Sequence, residues 1–122
     1  MMLYENETSA IIGAALEVHK NLKLGLSEAL YHEGMEIEMS NMNIPFVSEA
    51  PLIPYYKGVP MQKRYFADFL CYDKIIVEIK AVDELLPEHE AQLLNYLRLT
   101  QVKVGLLLNF KRAHLQIKRF ML

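Results

Sequence analysis

A single cysteine, Cys71, stands in 122 residues, so no internal disulfide framework and no Cys-rich zinc site can form. A reducing compartment suits such a chain. No apolar run approaches the ~18 residues needed to cross a bilayer. The first residues, Met1-Met2-Leu3-Tyr4-Glu5-Asn6-Glu7, are acidic where a secretory leader would be basic. Glycine is scarce and its five copies are scattered, which excludes a glycine-rich phosphate loop. Repeats, low-complexity tracts and Pro/Gly/Ser-rich linkers are missing as well. The four histidines are too dispersed for a zinc site, and nothing local suggests a Ser-His-Asp constellation. These absences predict one soluble, cytoplasmic domain over residues 1–122 with no membrane partner.

What is present is a chain with 52% hydrophobic residues, long enough to bury roughly two-thirds of its unfolded surface without staples. The net charge of −2 conceals a split. Residues 1–90 carry 7 basic and 15 acidic side chains, whereas residues 91–122 carry six bases (Arg98, Lys103, Lys111, Arg112, Lys118 and Arg119) and no acid. Two readings stay open: a phosphate-facing surface opposite an acidic pocket, or solvated cations on the last strands.

Ile11, Ala15, Val18 and Leu22, with Ile12 and Leu16, recur at helical spacing and predict a helix over residues 7–22. Ser27 is placed to cap a second helix to about residue 41, with Leu30, Gly34 and Ile37 on one stripe. Four prolines then punctuate β-type sequence, giving strands over 46–57 and 61–72 with a turn at Lys57-Gly58, and a third strand over 75–81. Pro87, Glu88 and Glu90 suit the first turn of a helix to residue 100. Residues 102–109 and 115–121 read as two further strands, the first almost wholly apolar and therefore central. The order ααβββαββ is a mixed α/β (α+β) arrangement, not a doubly wound nucleotide fold.

Two strands break their own pattern. Alternation puts Asp68 on one face with Phe66 and Leu70, a costly place for an unpartnered carboxylate. On the next strand Glu78 and Lys80 project side by side, ~6.6 Å apart along the backbone. A structural ion pair or a wet sheet face would explain all three residues. So would metal-assisted phosphodiester cleavage, in which two acids hold a hard divalent cation and a lysine orients water or stabilises charge on phosphorus.

Asp68…Glu78-Ile79-Lys80 resembles the signature of the PD-(D/E)XK nuclease superfamily. Gln92-Leu93-Leu94-Asn95-Tyr96 resembles the QxxxY motif of its RecB-like branch, and Gly25-Leu26-Ser27-Glu28-Ala29-Leu30-Tyr31 is similar to the pattern of the small bacterial GxxExxY family. The resemblance spans essentially the whole chain, with Ala67 in place of the proline and Lys23-Leu24 in place of the usual Gly-Pro. It implies a restriction-endonuclease-like core, a central mixed sheet flanked by helices. It also implies a Mg²⁺-dependent nuclease, with Mn²⁺ able to substitute, acting on nucleic acid. Asp68, Glu78 and the backbone carbonyl of Ile79 are then the metal ligands, with Glu28 a further candidate. Lys80, Gln92 and Tyr96 complete the catalytic set. The alternative is an inactive module that keeps the fold and binds nucleic acid or protein. A homodimer would complete a substrate groove.

Geometry adds a condition. A two-residue Asp73-Lys74 turn would send Asp68 and Glu78 to opposite sheet faces, so an odd loop, Tyr72-Asp73-Lys74, or a bulge is required.

Overall fold

The computed structural model describes residues 2–122. Helices α1 (Glu5–Asn21) and α2 (Glu28–Asn41) form an antiparallel pair on one face of a five-stranded sheet, and α3 (Pro87–Thr100) covers the other. The strands are β1 (Phe46–Leu52), β4 (Tyr65–Cys71), β5 (Ile75–Lys80), β6 (Val104–Asn109) and β7 (Gln116–Met121), in the order β1-β4-β5-β6-β7. Only β5 and β6 run parallel, joined by the α3 crossover. Every residue of β6 is buried, as its apolar run requires.

Two expectations are corrected. The stripe Leu30, Gly34 and Ile37 is not the buried face of α2, for Leu30 and Ile37 are exposed. The helix instead buries Tyr31, Met35 and Met39, and Gly34 lies against Val18 of α1. That rotation turns Glu28, one turn before Tyr31, toward the sheet. The predicted strand over 46–57 also stops early. Pro54 cannot continue the ladder. The chain leaves the sheet there and folds a separate hairpin, β2 (Tyr55–Tyr56) with β3 (Val59–Pro60), around Lys57 and Gly58. Both turn residues have positive φ, 50° and 79°, as a tight two-residue hairpin turn demands.

The close approach of α3 to the sheet depends on Gly105. A Cβ there would meet Leu93 Cδ1 at 2.9 Å, with the rest of that buried side chain almost as near. Gly105→Ala is expected to destabilise the fold by about 1–3 kcal/mol through overpacking, read as a lower urea midpoint.

Candidate functional site

The loop between β4 and β5 is Tyr72-Asp73-Lys74, with Tyr72 and Asp73 both at positive φ and the Lys74 N–H donating to the Cys71 carbonyl. Cys71 therefore pairs with Ile75, Leu70 with Ile76 and Phe69 with Val77. Continued one step, this register sets Asp68 opposite Glu78. Backbone pairing ends at that step, and the side chains take over. The Asp68 N–H donates to Glu78 Oε2 at 2.7 Å, and the Ile79 N–H donates to Asp68 Oδ2 at 2.7 Å. Each carboxylate thus satisfies a backbone donor of the other strand.

The same step breaks the alternation of β4. Ala67 packs with the α3-side core, while Phe69 packs with the α1/α2-side core. On β1, Glu49 lies between the residues that pair with Phe69 and Ala67, and it takes a left-handed φ of 51°. The sheet opens here, and the opening is reached by α2 from one face and α3 from the other.

From α2 come Glu28 and His32. Glu28 shares an open cleft of about 340 Å³ with His32, Glu36, Glu49 and Asp68. His32 Nδ1 lies 3.6 Å from Asp68 Oδ1, and its Nε2 is hydrogen-bonded to Ser48 Oγ at 2.9 Å. The ring stacks on Phe69 at 4.3 Å. His32 therefore stands beside the second oxygen of Asp68, just beyond hydrogen-bond distance. Sequence reasoning assigned it no partner, although its i+4 spacing from Glu28 placed both on one stripe.

From α3 comes Tyr96, 6% exposed and close enough to Glu78 and Asp68 that their charges, after burial, raise its pKa. Gln92 lies on the same stripe one turn earlier, at the exposed rim, with no side-chain hydrogen bond among the described residues. His89, also on that stripe, accepts the Leu86 N–H at 3.0 Å and belongs to the helix cap. His19 is likewise structural, bonded to the Arg112 carbonyl at 2.8 Å.

A second unforeseen residue is Asn109, fully buried beside Lys80 in the β5–β6 register. Its side chain accepts the Val82 N–H at 3.0 Å and donates to the Val82 carbonyl at 2.9 Å. It clamps the chain just past Lys80. No periodicity could reveal this, since an asparagine ending an apolar strand reads as a turn residue.

The electrostatics speak against an ion pair within the acid cluster. Burial pushes the Glu78 carboxyl up to about 8, and the Asp68 charge adds to the shift. Burial also raises Asp68, although the Ile79 N–H, His32 and Lys80 all oppose it. Glu28 is raised by burial, with Lys80 pulling it down and Asp68 pushing it up. A structural ion pair would hold these acids below their ordinary values. Among the described residues, moreover, no ion pair within 4.0 Å joins Lys80 to any of them. With all its carboxyls ionised the cluster would carry more negative charge than Lys80 neutralises, and the raised pKa values reflect that.

That surplus fits a divalent cation. No three His, Cys, Asp or Glu side chains among the described residues form a ready-made cage. Asp68 and Glu78, with the Ile79 carbonyl between Glu78 and Lys80, would hold a cation that keeps several waters, as Mg²⁺ does.

The family model of the PD-(D/E)XK nuclease superfamily matches residues 5–120. The chain belongs to that superfamily. Its mixed sheet flanked by helices is consistent with the superfamily's restriction-endonuclease-like fold, and its membership indicates a nuclease-like domain. No curated protein matches the chain. Among solved structures it is similar to the one described as "Crystal structure of SSO0001", with a TM-score of 0.59 and 23% identity. That match covers 76% of this chain and 50% of the other, so the PD-(D/E)XK domain here spans about half the length of that relative. The likeness is one of fold. No helix among the described residues is long and apolar enough to cross a membrane.

Proposed function

We propose that this chain is a cytoplasmic, Mg²⁺- or Mn²⁺-dependent nuclease of the GxxExxY group, on the RecB-like branch of the superfamily, and that it hydrolyses phosphodiester bonds. The observation that carries the reading is the meeting of Asp68 and Glu78 where the backbone ladder opens, both raised in pKa, with Lys80 two residues on and free of any ion pair to them.

A divalent cation bound there would supply Lewis-acid stabilisation of charge on a phosphoryl oxygen. Asp68, Glu78 and the Ile79 carbonyl would hold it, and His32 would keep Asp68 aimed. Lys80 would orient the attacking water and offset the charge that grows as the new P–O bond forms and the ester P–O bond breaks. Tyr96 and Gln92 would hold the substrate phosphate through neutral hydrogen bonds from the α3 side. Glu28 stands on the opposite wall, where its carboxyl would accept a proton from that water or bind the cation through it. A second copy of the chain would complete the groove around the substrate.

The test is incubation with single- and double-stranded DNA and RNA in the presence of Mg²⁺, Mn²⁺ or a chelator. Cleavage of at least one substrate with either cation, and none with the chelator, is expected. Intact substrate under all conditions, with retained binding, would make the domain an inactive nucleic-acid-binding module.

A further inference from the structure

Residues 53–66, from the end of β1 into the start of β4, contain Lys57, Lys63 and Arg64 and no acid. The remainder of the first ninety residues holds four bases against 15 acids, so this short stretch reverses the local sign of the chain. It also displays aromatic surface. Tyr55 is 65% and Tyr56 63% exposed. Lys57 Nζ lies 5.6 Å from the centre of the Tyr56 ring, and Lys63 Nζ lies 5.7 Å from that of Tyr65. The Tyr65 ring is in turn 6.1 Å from Tyr96, the residue that feels Glu78. The flank that follows the hairpin thereby reaches the acid site through Lys63, Tyr65 and Tyr96.

None of its charge is paired with an acid among the described residues, although the Arg64 guanidinium donates to the Met61 and Lys63 carbonyls. Among the described residues no ion pair within 4.0 Å involves Lys57, Lys63 or Arg64. The basic C-terminal segment is partly committed, with Arg98, Lys103 and Arg112 also in no ion pair among the described residues. There Lys111 pairs with Asp83 at 2.9 Å, Lys118 pairs with Glu90 at 2.7 Å, and Arg119 bonds to Thr8 and to the Leu3 carbonyl.

We propose that the β2–β3 hairpin and its flanks bind an unpaired nucleic-acid strand and lead it to the Asp68–Glu78 site, an inference that rests on the nuclease reading for its destination. Tyr55 and Tyr56 offer stacking faces that only unpaired bases can use, and the three cations track the phosphates. A polyanion is favoured over a protein partner because three cations with no acid among them repel one another until an anion arrives.

The experiment uses the full chain in a chelator, so that binding is read without cleavage, with a labelled oligo-dT of about 20 nucleotides and a duplex of equal length. Tyr55→Ala/Tyr56→Ala should weaken single-strand binding roughly tenfold or more and duplex binding less than about twofold. Tyr55→Phe/Tyr56→Phe should retain it, since stacking needs the ring and not the hydroxyl. Lys57→Gln/Lys63→Gln/Arg64→Gln should flatten the slope of log affinity against log salt by about 2, some 0.7 per phosphate. Unchanged melting temperatures would show that the variants fold. Single-strand affinity indifferent to the tyrosines, or an equal loss on the duplex, overturns the proposal. So does intact nucleic-acid binding with loss of a protein partner. Tyrosine-dependent binding by a chain that cleaves nothing would leave this inference standing and sink the nuclease reading. Cleavage indifferent to the hairpin would do the reverse.

Discussion

Lys80→Ala should lower the cleavage rate at least a hundredfold, about the loss seen when one charge-stabilising donor is removed, and leave cation binding nearly intact. An ammonium is no ligand for a hard cation, so the two carboxylates remain to bind it. The melting temperature should also stay close to that of the parent, because no ion pair within 4.0 Å engages the lysine among the described residues. Asp68→Ala differs in every respect. It removes a proposed ligand and frees the Ile79 N–H, so cleavage, cation binding and stability should all fall. Calorimetric cation titration beside a rate measurement separates the two variants. A Lys80→Ala protein as active as the parent would assign the cleavage to some other centre.

Glu78→Gln should produce a pair of opposite signs. In the cation-free parent the Glu78 carboxyl titrates near 8, above its ordinary value of 4.5. Between those two values the folded chain holds a proton that the unfolded chain has released. Stability therefore falls as pH rises through that window and levels off above it. The glutamine variant cannot ionise, yet its amide oxygen still accepts the Asp68 N–H. At pH 8 it should melt above the cation-free parent, and its melting temperature should change less between pH 5 and pH 8. Cation addition should reverse the order. Binding to the folded parent contributes ~2.7 kcal/mol at a hundredfold excess over Kd, several degrees for a domain of this size. Mn²⁺ should match or exceed Mg²⁺. The variant, short of one ligand charge, should respond weakly. Thermal melts at the two pH values, with and without cation, measure all of this. A parent indifferent to both cations together with a destabilised variant would point to a structural role for the acids.

Much of this was legible from residue pattern. The main elements follow from periodicity, and the odd loop before β5 follows from the requirement that two acids meet. The misreadings have physical causes. On α2 the hydrophobic residues outnumber the positions facing the core, so Leu30 and Ile37 competed with Met35 and Met39 for the buried stripe, and packing against Val18 decided it. The break of β1 at Pro54 was signalled by the proline but masked by the β-rich tyrosines after it. His32 and Asn109 could be placed only by tertiary contacts, because their partners, Asp68 and Val82, are distant in sequence. Gln92 is positioned by helical spacing alone and has no side-chain hydrogen bond among the described residues.

The exchange of backbone ladder for side chains at Asp68 and Glu78 bears on how such a domain would age. Each side chain closes an amide that would otherwise lie open between two strands, so selection for folding alone keeps an acceptor oxygen at both positions in a lineage that has abandoned chemistry, and at position 78 an amide would serve as well as an acid. Lys80 enjoys no such protection. A descendant that retains the two acids but has lost this lysine would still fold and would pass for an enzyme by its acids alone. The lysine, not the pair of acids, is the residue whose drift would date the loss of activity.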